Sequence, residues 1–324
     1  MTTAAHNELV RERADRAALI AHTQADATGA HAQLAPMVWD LLRGLGAPVG
    51  GRALAFGVDP QVLLTGDPNR PQPRDTDGFP VHDRWQGPVP GSRPVTPWET
   101  FPVTRYPLDL QIGRPFDVAV ASMPYSDIHL RSRETRAMRL HSFHLQATEV
   151  LDALAPGGHA VFLVNHSVLD YPDPSRWARL AQMADFLGAA RLPSHALRAV
   201  RACDAPVDVL VLRRRDGGYP DPDRQFPGIH RSSQDGLHES TYFTTHPDRV
   251  LGTRAVGTDY WGMQQVAVHD PDHTWPGRLN SVFGEIARQH RSAHPATDGA
   301  ALHRPATPRH GFPRPGGEPP APGL

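Results

Sequence analysis

Apolar positions follow helical spacing near the start of the chain. Residues 7–24 carry apolar side chains at that spacing among many arginines and glutamates, which predicts an amphipathic helix with a strongly charged face. A second helix is predicted over 36–45, because Pro36 suits a first turn and glycines follow the last apolar position. The apolar run RALAFGV at 52–58 predicts a strand directly after it.

From residue 116 the chain alternates between apolar, strand-length runs and helix-length segments. Before it, residues 67–113 carry a proline or glycine every few positions, which predicts an irregular connection with room for one short strand. Strands that are apolar throughout are typical of a mainly parallel sheet covered on both faces. The predicted fold class is therefore α/β, with a doubly wound, mainly parallel sheet. Its predicted elements are a strand over 116–122, a helix over 138–154, a strand over 159–165, a helix over 174–187, and strands over 188–193 and 207–215.

Proline and glycine mark the boundaries of the predicted domains. The 34 prolines and 28 glycines gather at 67–115 and 291–324, and such composition is typical of loops or disordered chain. After residue 215 the periodicity weakens, and a small β-rich appendage is expected there. We therefore expect an N-terminal helical region at 1–50, an α/β domain at 51–216, the appendage at 217–285 and a disordered, proline-rich tail at 286–324.

Charge and cysteine content exclude several classes of function. With 33 basic and 34 acidic residues the net charge is -1, so no global basic surface favours polyanions. The single cysteine, Cys203, excludes an internal disulfide and a multi-cysteine zinc site. The 19 histidines are scattered, and we expect no metal site. Because an 18-residue apolar run and a signal-peptide core are both missing, we expect a cytoplasmic protein without a membrane partner.

The predicted strand FDVAVAS ends in the segment Ser122-Met123-Pro124-Tyr125. Ligands of doubly wound sheets lie beyond the carboxyl ends of the strands, where the connections diverge to opposite faces. There, a serine hydroxyl and a methionine carbonyl offer two acceptors for an exocyclic amino group, and a tyrosine ring can stack on a flipped base. The alternative is an ordinary strand-to-loop corner, in which the proline stops the sheet and the tyrosine covers the core.

This segment resembles the catalytic motif of amino-methyltransferases that use S-adenosylmethionine, written Asn, Asp or Ser, then Pro, Pro, then Tyr or Phe. The chain is similar, more particularly, to the N-6 DNA methylase-like proteins of actinobacterial plasmids and phages, which are often joined to helicase regions. The similarity is ordered along the chain, which makes it more specific than one motif. Its matching stretches are HAQLAPMVWDLLRGLG (31–46), HSFHLQATEVLDALAPGGHAVFLVNHSVLD (141–170), MADFLGAARLPSHAL (183–197), VDVLVLRRR (207–215) and TYFTTHPDRVLG (241–252).

The resemblance implies a class I methyltransferase-like fold, S-adenosylmethionine as cofactor and DNA as partner. Ser122, Met123, Pro124 and Tyr125 would form the catalytic segment, with Tyr125 stacking on the base. Met123 replaces the usual proline, and Ser122 replaces the usual asparagine, which leaves cytosine open beside adenine as the target. The sequence lacks a Gly-x-x-x-x-Gly-Lys-Ser phosphate loop, so a helicase or restriction partner would be a separate chain.

The candidate cofactor residues are Phe56, Gly57 and Asp59. Asp59, or alternatively Asp67, would face the ribose hydroxyls. The family binds its cofactor at a Gly-x-Gly turn, and this chain has no second glycine at that spacing. Two interpretations therefore stand: a DNA amino-methyltransferase, or a degenerate methyltransferase fold that binds DNA or a protein partner. Methylation of RNA or of a protein glutamine is a third. Candidate substrate-binding residues are Asp127, Asn165 and His166, each with a purely local structural role as the alternative.

Overall fold

The structure is a computed structural model of the 324-residue chain. Helices of the described residues are α1 (Thr3–Gln24), α2 (Thr28–Gly44), α3 (Pro60–Leu63), α4 (Arg133–Ala153), α5 (Ala178–Met183), α6 (Thr241–Thr245) and α7 (Trp275–Ala293). The strands are β1 (Arg52–Gly57), β2 (Glu99–Val103), β3 (Phe116–Ser122), β4 (Leu154–Asn165), β5 (Ala184–Arg191), β6 (Val207–Arg214), β7 (Ile229–Arg231), β8 (His238–Ser240), β9 (Thr253–Thr258) and β10 (Gln264–His269). The structure describes residues 3–24, 27–47, 51–57, 60–64, 99–103, 115–123, 126–128, 130–198, 205–217, 224–258 and 264–293.

Six strands form a central sheet in the order β2-β1-β3-β4-β6-β5. The first four strands in this order run parallel to one another. β6 runs antiparallel to both β4 and β5. The predicted fold class, a mainly parallel and doubly wound sheet, is confirmed. The single short strand expected between 67 and 113 is β2, which pairs with β1 at one edge.

Helices cover both faces of this sheet, and the alternation of side chains along each strand creates two cores. In β3, Val118 and Val120 point into the core that α2 and α7 close. Ala119 and Ala121 point into the opposite core, beneath α4. Both sets of side chains are almost completely buried, which explains why the strand reads as one continuous apolar run.

The carboxyl ends of β1 and β3 form the topological switch point. The chain leaves β1 into α3, whose Leu63 lies in the core of α2, and then reaches β2 on one side. It leaves β3 toward α4 on the opposite face and then forms β4 on the other side. Since the two connections diverge, a crevice is expected outside these two strand ends, where α/β sheets bind their ligands.

Helix α1 is attached to the start of α4 by two carboxylates. Asp15 is fully buried and accepts hydrogen bonds from the backbone N–H groups of Arg131 and Ser132, at 2.7 and 2.9 Å. Glu8 accepts from the Arg133 N–H at 3.0 Å. Hydrogen bonds from Ser132 and Arg133 lower the pKa of Glu8. The three amides that lead into α4 are therefore bound by a helix more than a hundred residues earlier in the chain.

The observed helix bounds depart from the predicted ones: α1 begins at Thr3 and α4 at Arg133, each several residues earlier than predicted, and two other helices differ more. Helix α2 begins at Thr28, and Pro36 lies inside it rather than in its first turn. Burial of one face of α2 stabilises it across the proline, since packing supplies most of the stability of a helix in a protein. The helix predicted over 174–187 is wrong beyond Met183, because β5 starts at Ala184 and is hydrogen-bonded along β6. Pairing with a buried strand overrides the helical pattern there.

The junction between α4 and β4 also differs from its prediction. The helix ends at Ala153 and the strand begins at Leu154, so the predicted intervening turn is absorbed into the strand. Pro156-Gly157-Gly158 lies in an irregular stretch where the pairing register with β3 shifts. Gly157 there has a φ of +79°, a conformation that favours glycine.

The expected start of the disordered tail at residue 286 is wrong, because α7 continues to Ala293. Val282, Phe283, Ile286 and Ala287 are buried against the core of α2, at the spacing of one helix face. The remaining residues of the predicted tail, beyond 293, lie outside the described residues. The β-rich character expected for 217–285 is present as two antiparallel pairs, β7 with β8 and β9 with β10.

The described residues contain neither a candidate membrane span nor a candidate metal site. None of their helices combines the length and apolar character needed to cross a bilayer. Across the same residues, three or more histidine, cysteine, aspartate or glutamate side chains never converge as a metal site would require. Cys203 lies outside the described residues.

His159, in β4, makes the stability of the fold depend on pH. Burial, together with the nearby positive charges of His290, Arg213 and Arg224, lowers the pKa of His159 from 6.5 to about 3. Its Nε2 atom is buried and has no hydrogen-bond partner in the described part of the chain. Below pH 6.5 the unfolded chain binds a proton that the folded protein excludes, so stability falls as the pH drops from 6.5 toward 3.

We predict that the free energy of unfolding falls by about 2 kcal/mol between pH 8 and pH 5 on account of His159 alone. The measurement is urea unfolding of the wild type and of His159→Gln at both pH values. The variant, which cannot titrate, should show a pH dependence smaller by that amount. An identical pH dependence in the two proteins would contradict the assignment.

Candidate active site

The carboxyl ends of β1 and β3 touch at Gly57 and Ser122, which are register partners. Gly57 has a φ of +102°, and a Cβ atom placed on it would lie 1.8 Å from the Ser122 carbonyl oxygen. Only glycine fits this backbone contact. The candidate cofactor glycine and the first residue of the candidate catalytic segment are therefore in direct contact at the switch point.

The Ser122 hydroxyl points toward α2 and is fully buried. Its Oγ lies 3.2 Å from Nε2 of His31, which is fully buried as well. The pair orients the serine side chain from the face of the sheet that carries α2. Sequence reasoning missed His31 because a histidine within a helical apolar pattern carries no signal of its own, although it begins the matching stretch 31–46.

Met123 begins a tight turn that leaves the sheet. Its N–H donates to the Leu163 carbonyl at 3.0 Å, and its own carbonyl accepts from the Ser126 N–H at 3.2 Å. The side chain is buried in the core beneath α4. The carbonyl oxygen retains a second lone pair beyond the turn hydrogen bond. Pro124 and Tyr125 of this segment, and the candidate cofactor residue Asp59, lie outside the described residues.

Asn165, at the end of β4, holds the loop that follows the turn. Its Nδ2 donates to the carbonyls of Ser126 at 2.9 Å and Ile128 at 3.1 Å. Its Oδ1 accepts from the Ser167 N–H at 3.1 Å. Both amide hydrogens and the amide oxygen are therefore used within the protein, and the side chain is 2% exposed. The geometry gives Asn165 the role of fixing the loop.

Asp127 is anchored in the same loop by a buried ion pair. Both of its carboxylate oxygens accept from Nη1 of Arg198, at 2.9 and 3.0 Å. The two side chains are almost completely buried. The Asp127 carboxylate, a candidate for substrate binding in the sequence, therefore lies inside the protein against Arg198. A paired buried carboxylate of this kind stabilises the loop rather than facing solvent.

Phe56, the last candidate for the cofactor, lies one residue before Gly57 in β1. Its ring is 1% exposed and packs in the core beneath α4. Its position in the strand directs the ring to that face, while Gly57 ends the strand. The geometry therefore gives Phe56 a packing role.

His166 belongs to a network of buried polar and charged side chains. Its Nδ1 is 2.9 Å from Oδ2 of Asp170, and Arg191 donates to Asp170 at 2.9 Å and, through two nitrogens, to Asp208 at 2.8 Å. Burial alone would raise the pKa of Asp170, but the Arg191 guanidinium and the hydrogen bond with His166 outweigh it and lower that pKa. His166 is thereby fixed beside the end of β4 with its Nδ1 engaged.

A cavity of about 360 Å³, which we call the motif cavity, lies between the loop and α4. Met123, Ser126 and Asn165 line it from the loop side, and Leu19 of α1 closes one end. The Oγ of Ser126 is buried and has no hydrogen-bond partner among the described residues. Such a group is costly to bury unless something supplies a hydrogen bond, so it is a candidate contact for a ligand.

Arg139 of α4 lines this cavity and keeps a positive charge there. Burial lowers the pKa of Arg139 to about 9, while the negative charges of Asp15 and Asp127 oppose that fall. The guanidinium therefore remains protonated at neutral pH. It donates hydrogen bonds to the Ile128 carbonyl and, at 3.3 Å, to the Ser167 hydroxyl.

Comparisons with known proteins find solved structures of low similarity only. No protein-family model and no curated protein matches it. It is similar to a putative class I S-adenosylmethionine-dependent methyltransferase from Listeria monocytogenes, with 13% identity, a TM-score of 0.38, and coverage of 60% of this chain and 64% of that one. It is similar also to a modification subunit of a putative type I restriction enzyme from Vibrio vulnificus, with 12% identity, a TM-score of 0.32, and coverage of 76% and 60%.

A third similar structure is a putative DNA modification methylase from Thermus thermophilus, with 21% identity, a TM-score of 0.23, and coverage of 34% of this chain and 51% of that one. The chain spans less than two thirds of the length of each of these three proteins. Scores at this level assign neither an activity nor a partner to the chain.

We predict that Gly57→Ala destabilises the protein by roughly 2–4 kcal/mol. The positive φ accounts for about 1–2 kcal/mol, and the forced displacement of the Ser122 backbone accounts for the rest. Urea unfolding measures the change. Gly29→Ala is the matched control, because Gly29 lies in α2 with open space around its Cβ position. That substitution should stabilise the protein by about 0.5–1 kcal/mol, and equal effects of the two would contradict the prediction.

We predict that Asp127→Asn costs about 3–5 kcal/mol, since it leaves the buried Arg198 charge without its carboxylate. The double variant Asp127→Asn/Arg198→Met removes both charges and should recover part of that loss. Unfolding of the two single variants and the double variant gives the coupling energy. Strictly additive losses would show that the ion pair does not hold the loop.

Proposed function

We propose that this protein is an S-adenosylmethionine-dependent amino-methyltransferase acting on an exocyclic amino group of a base in DNA. One observation carries the proposal: the segment Ser122-Met123-Pro124-Tyr125 begins where β3 meets Gly57 at the topological switch point. This is the position at which a doubly wound sheet binds its ligands. The likeness of this segment to the motif of amino-methyltransferases, in a chain whose fold class is the expected one, supports the same reaction.

The loop around the segment is held rigidly, as the reaction requires. The sulfonium methyl of the cofactor is already activated, so most of the acceleration comes from placing the amino nitrogen in line with it. Asn165 and the Asp127–Arg198 ion pair fix the loop on one side, and His31 fixes Ser122 on the other. Each of these contacts reduces the freedom of the groups that would orient the base.

S-adenosylmethionine would supply the methyl group. Gly57 makes the end of β1 compatible with such a cofactor. Its left-handed backbone ends the strand at the edge of the sheet where these cofactors lie. On this proposal, Gly57 keeps the strand end free of a side chain, and Asp59 is the residue that would reach the ribose. Phe56 supports the site from the core.

The Met123 carbonyl is the acceptor for the amino group of the base. One lone pair of this carbonyl accepts from the Ser126 N–H, and the second can accept a hydrogen bond from the amino group of the base. Accepting that N–H raises the electron density on the amino nitrogen. Tyr125 stacks on the base. The motif cavity, next to Met123, offers the Ser126 hydroxyl as a further hydrogen-bonding group for the base. We propose adenine as the target, as the family resemblance implies; cytosine is the less favoured base, and it stays open because a serine begins the motif.

A second function is favoured by a different observation. The Ser122 hydroxyl is fully buried and engaged by His31, and the sequence lacks the second glycine of a cofactor turn. A methyltransferase fold that no longer binds its cofactor, and that acts as a DNA-binding or partner-binding module, would have these properties. In either case the DNA and a helicase or restriction chain are the partners we propose.

Titration calorimetry of the full chain with S-adenosylmethionine and S-adenosylhomocysteine distinguishes the two functions. We predict binding of both with a dissociation constant in the micromolar range. Cofactor binding should be followed by transfer of a labelled methyl group to DNA. Absence of binding to the folded protein, with and without DNA present, would refute the methyltransferase and favour the binding module.

We predict that Tyr125→Ala lowers methyl transfer about 5-fold to 150-fold, because stacking on one base is worth about 1–3 kcal/mol. Tyr125→Phe is the matched control, since it keeps the ring and should retain most of the activity. Cofactor affinity, measured by the same titration, should be unchanged in both variants. Full methyl transfer by Tyr125→Ala on duplex DNA would contradict the prediction that Tyr125 stacks on the base.

A further inference from the structure

A second cavity of about 350 Å³ lies beyond the carboxyl end of β4. Three separate parts of the chain enclose it: the first turns of α4, the segment from His166 to Pro172, and residues of the appendage at β8 and β10. We call it the arginine-lined cavity. It adjoins the motif cavity, because Arg139 lines both. β3 and β4 are paired neighbours, with Ser122 opposite Leu163, so the cavity lies beside the candidate catalytic segment.

The charge of this cavity is strongly positive. Arg133, Arg136 and Arg139 line it from α4, at the spacing of one helix face. Asp170 is the one acidic residue of its lining, and Arg191 and His166 already bind that carboxylate. A positive wall without a matching negative one favours an anionic ligand.

Two of these arginines are available to a ligand. Arg133 and Arg136 are exposed, and neither guanidinium has an ion-pair partner among the residues that the structure describes. Asp15 and Glu8 already bind the amides of Arg131, Ser132 and Arg133, which lead into α4. The cationic side chains, rather than the helix terminus, would therefore bind an anion.

Gln265 of β10 gives an independent indication of a ligand. Its side chain is 5% exposed and lies between this cavity and a neighbouring one of about 570 Å³, both of which it lines, and its Oε1 is buried without a hydrogen-bond partner in the described part of the chain. A buried, unpaired amide oxygen costs about 1–3 kcal/mol, and a ligand N–H donor would remove that penalty. His166 adds one more group, because Asp170 engages its Nδ1 and leaves Nε2 as the ring nitrogen for a ligand.

We propose that the arginine-lined cavity binds one nucleotide of the DNA strand, next to the base that is methylated. Arg133 and Arg136 hold the phosphodiester, and the Gln265 amide binds the edge of the base. The proposal rests on the function proposed above and names the part of the protein that binds its substrate strand. Phosphate contacts would set the position of the strand, and the single amide contact would give a preference among bases.

The volume and the mixed lining favour a nucleotide over a free phosphate ion. A cavity of about 350 Å³ is within the size range of ligand pockets, far larger than a phosphate requires. Its polar groups stand on opposite walls, with the arginines on α4 and Gln265 on β10. A ligand that contacts both walls has to carry an anionic group and a hydrogen-bonding group on one framework, and a nucleotide does.

The test is binding of a fluorescein-labelled, 20-nucleotide single strand of mixed sequence to the full chain, followed by fluorescence anisotropy at several salt concentrations. Arg133→Ala/Arg136→Ala should bind at least tenfold more weakly than the wild type. The slope of log K against log salt should decrease by about 1.4, which corresponds to two lost contacts on a single strand. Arg179→Ala/Arg288→Ala is the matched control, since both residues are exposed and lie outside the cavity lining. It should remain within twofold of the wild type.

Equal losses in the two double variants, an unchanged affinity in the first, or no binding by the wild type would overturn the proposal. Gln265→Leu keeps the volume and removes the amide. We expect it to retain the salt slope, to unfold at the same urea concentration or a higher one, and to lose the preference of the wild type among homopolymeric strands. A wild type that shows no such preference, or a variant that keeps it, would overturn the role of Gln265.

Cofactor titration and methyl transfer test the proposed function independently of strand binding. Strand binding that depends on the arginines, in a protein that neither binds the cofactor nor transfers a methyl group, would support the cavity and refute the methyltransferase. Methyl transfer to DNA that is the same in the wild type and in Arg133→Ala/Arg136→Ala would support the methyltransferase and overturn the cavity.

Discussion

A single buried arginine connects the parts of this protein that form its site. Arg191 ends β5, donates to Asp208 of β6 and to Asp170 after β4, and lies with its guanidinium 4.2 Å from the ring centre of Phe243 in the appendage. Burial alone would lower the pKa of Arg191, but its carboxylate partners outweigh that effect and raise it. Losing one member of such a group leaves an unpaired buried charge. The positions of His166 and of the appendage both depend on this arrangement.

The loop after β3 is likewise held by hydrogen bonds and an ion pair between residues that are far apart in sequence. Asn165 binds its carbonyls, Arg198 binds the carboxylate of Asp127, and Asp15 of α1 binds the amides just beyond it. Each contact joins residues that are far apart in sequence, so the loop has its shape only in the folded protein. A candidate site in which positioning supplies most of the rate needs this kind of rigid support.

The motif cavity and the arginine-lined cavity lie beside these buried contacts. Both open beside the carboxyl end of β4, and α4 forms one wall of each. α1 closes the motif cavity through Leu19, and the appendage closes the arginine-lined cavity through β8 and β10. The segments that flank the α/β domain therefore have a definite place in the site, because they complete the walls that the sheet leaves open.

The sequence by itself determined the sheet and the position of its switch point, because apolar runs such as β3 and β6 report burial on both faces directly. It also determined that Ser122 and Gly57 stand at strand ends. Only the tertiary structure decided what the side chains do there. His31, Arg198 and the charges around Arg191 come together from distant parts of the chain, and no local pattern encodes such pairing. The end of α5 and the length of α7 were decided in the same way, since pairing with β6 and packing on α2 override local propensity.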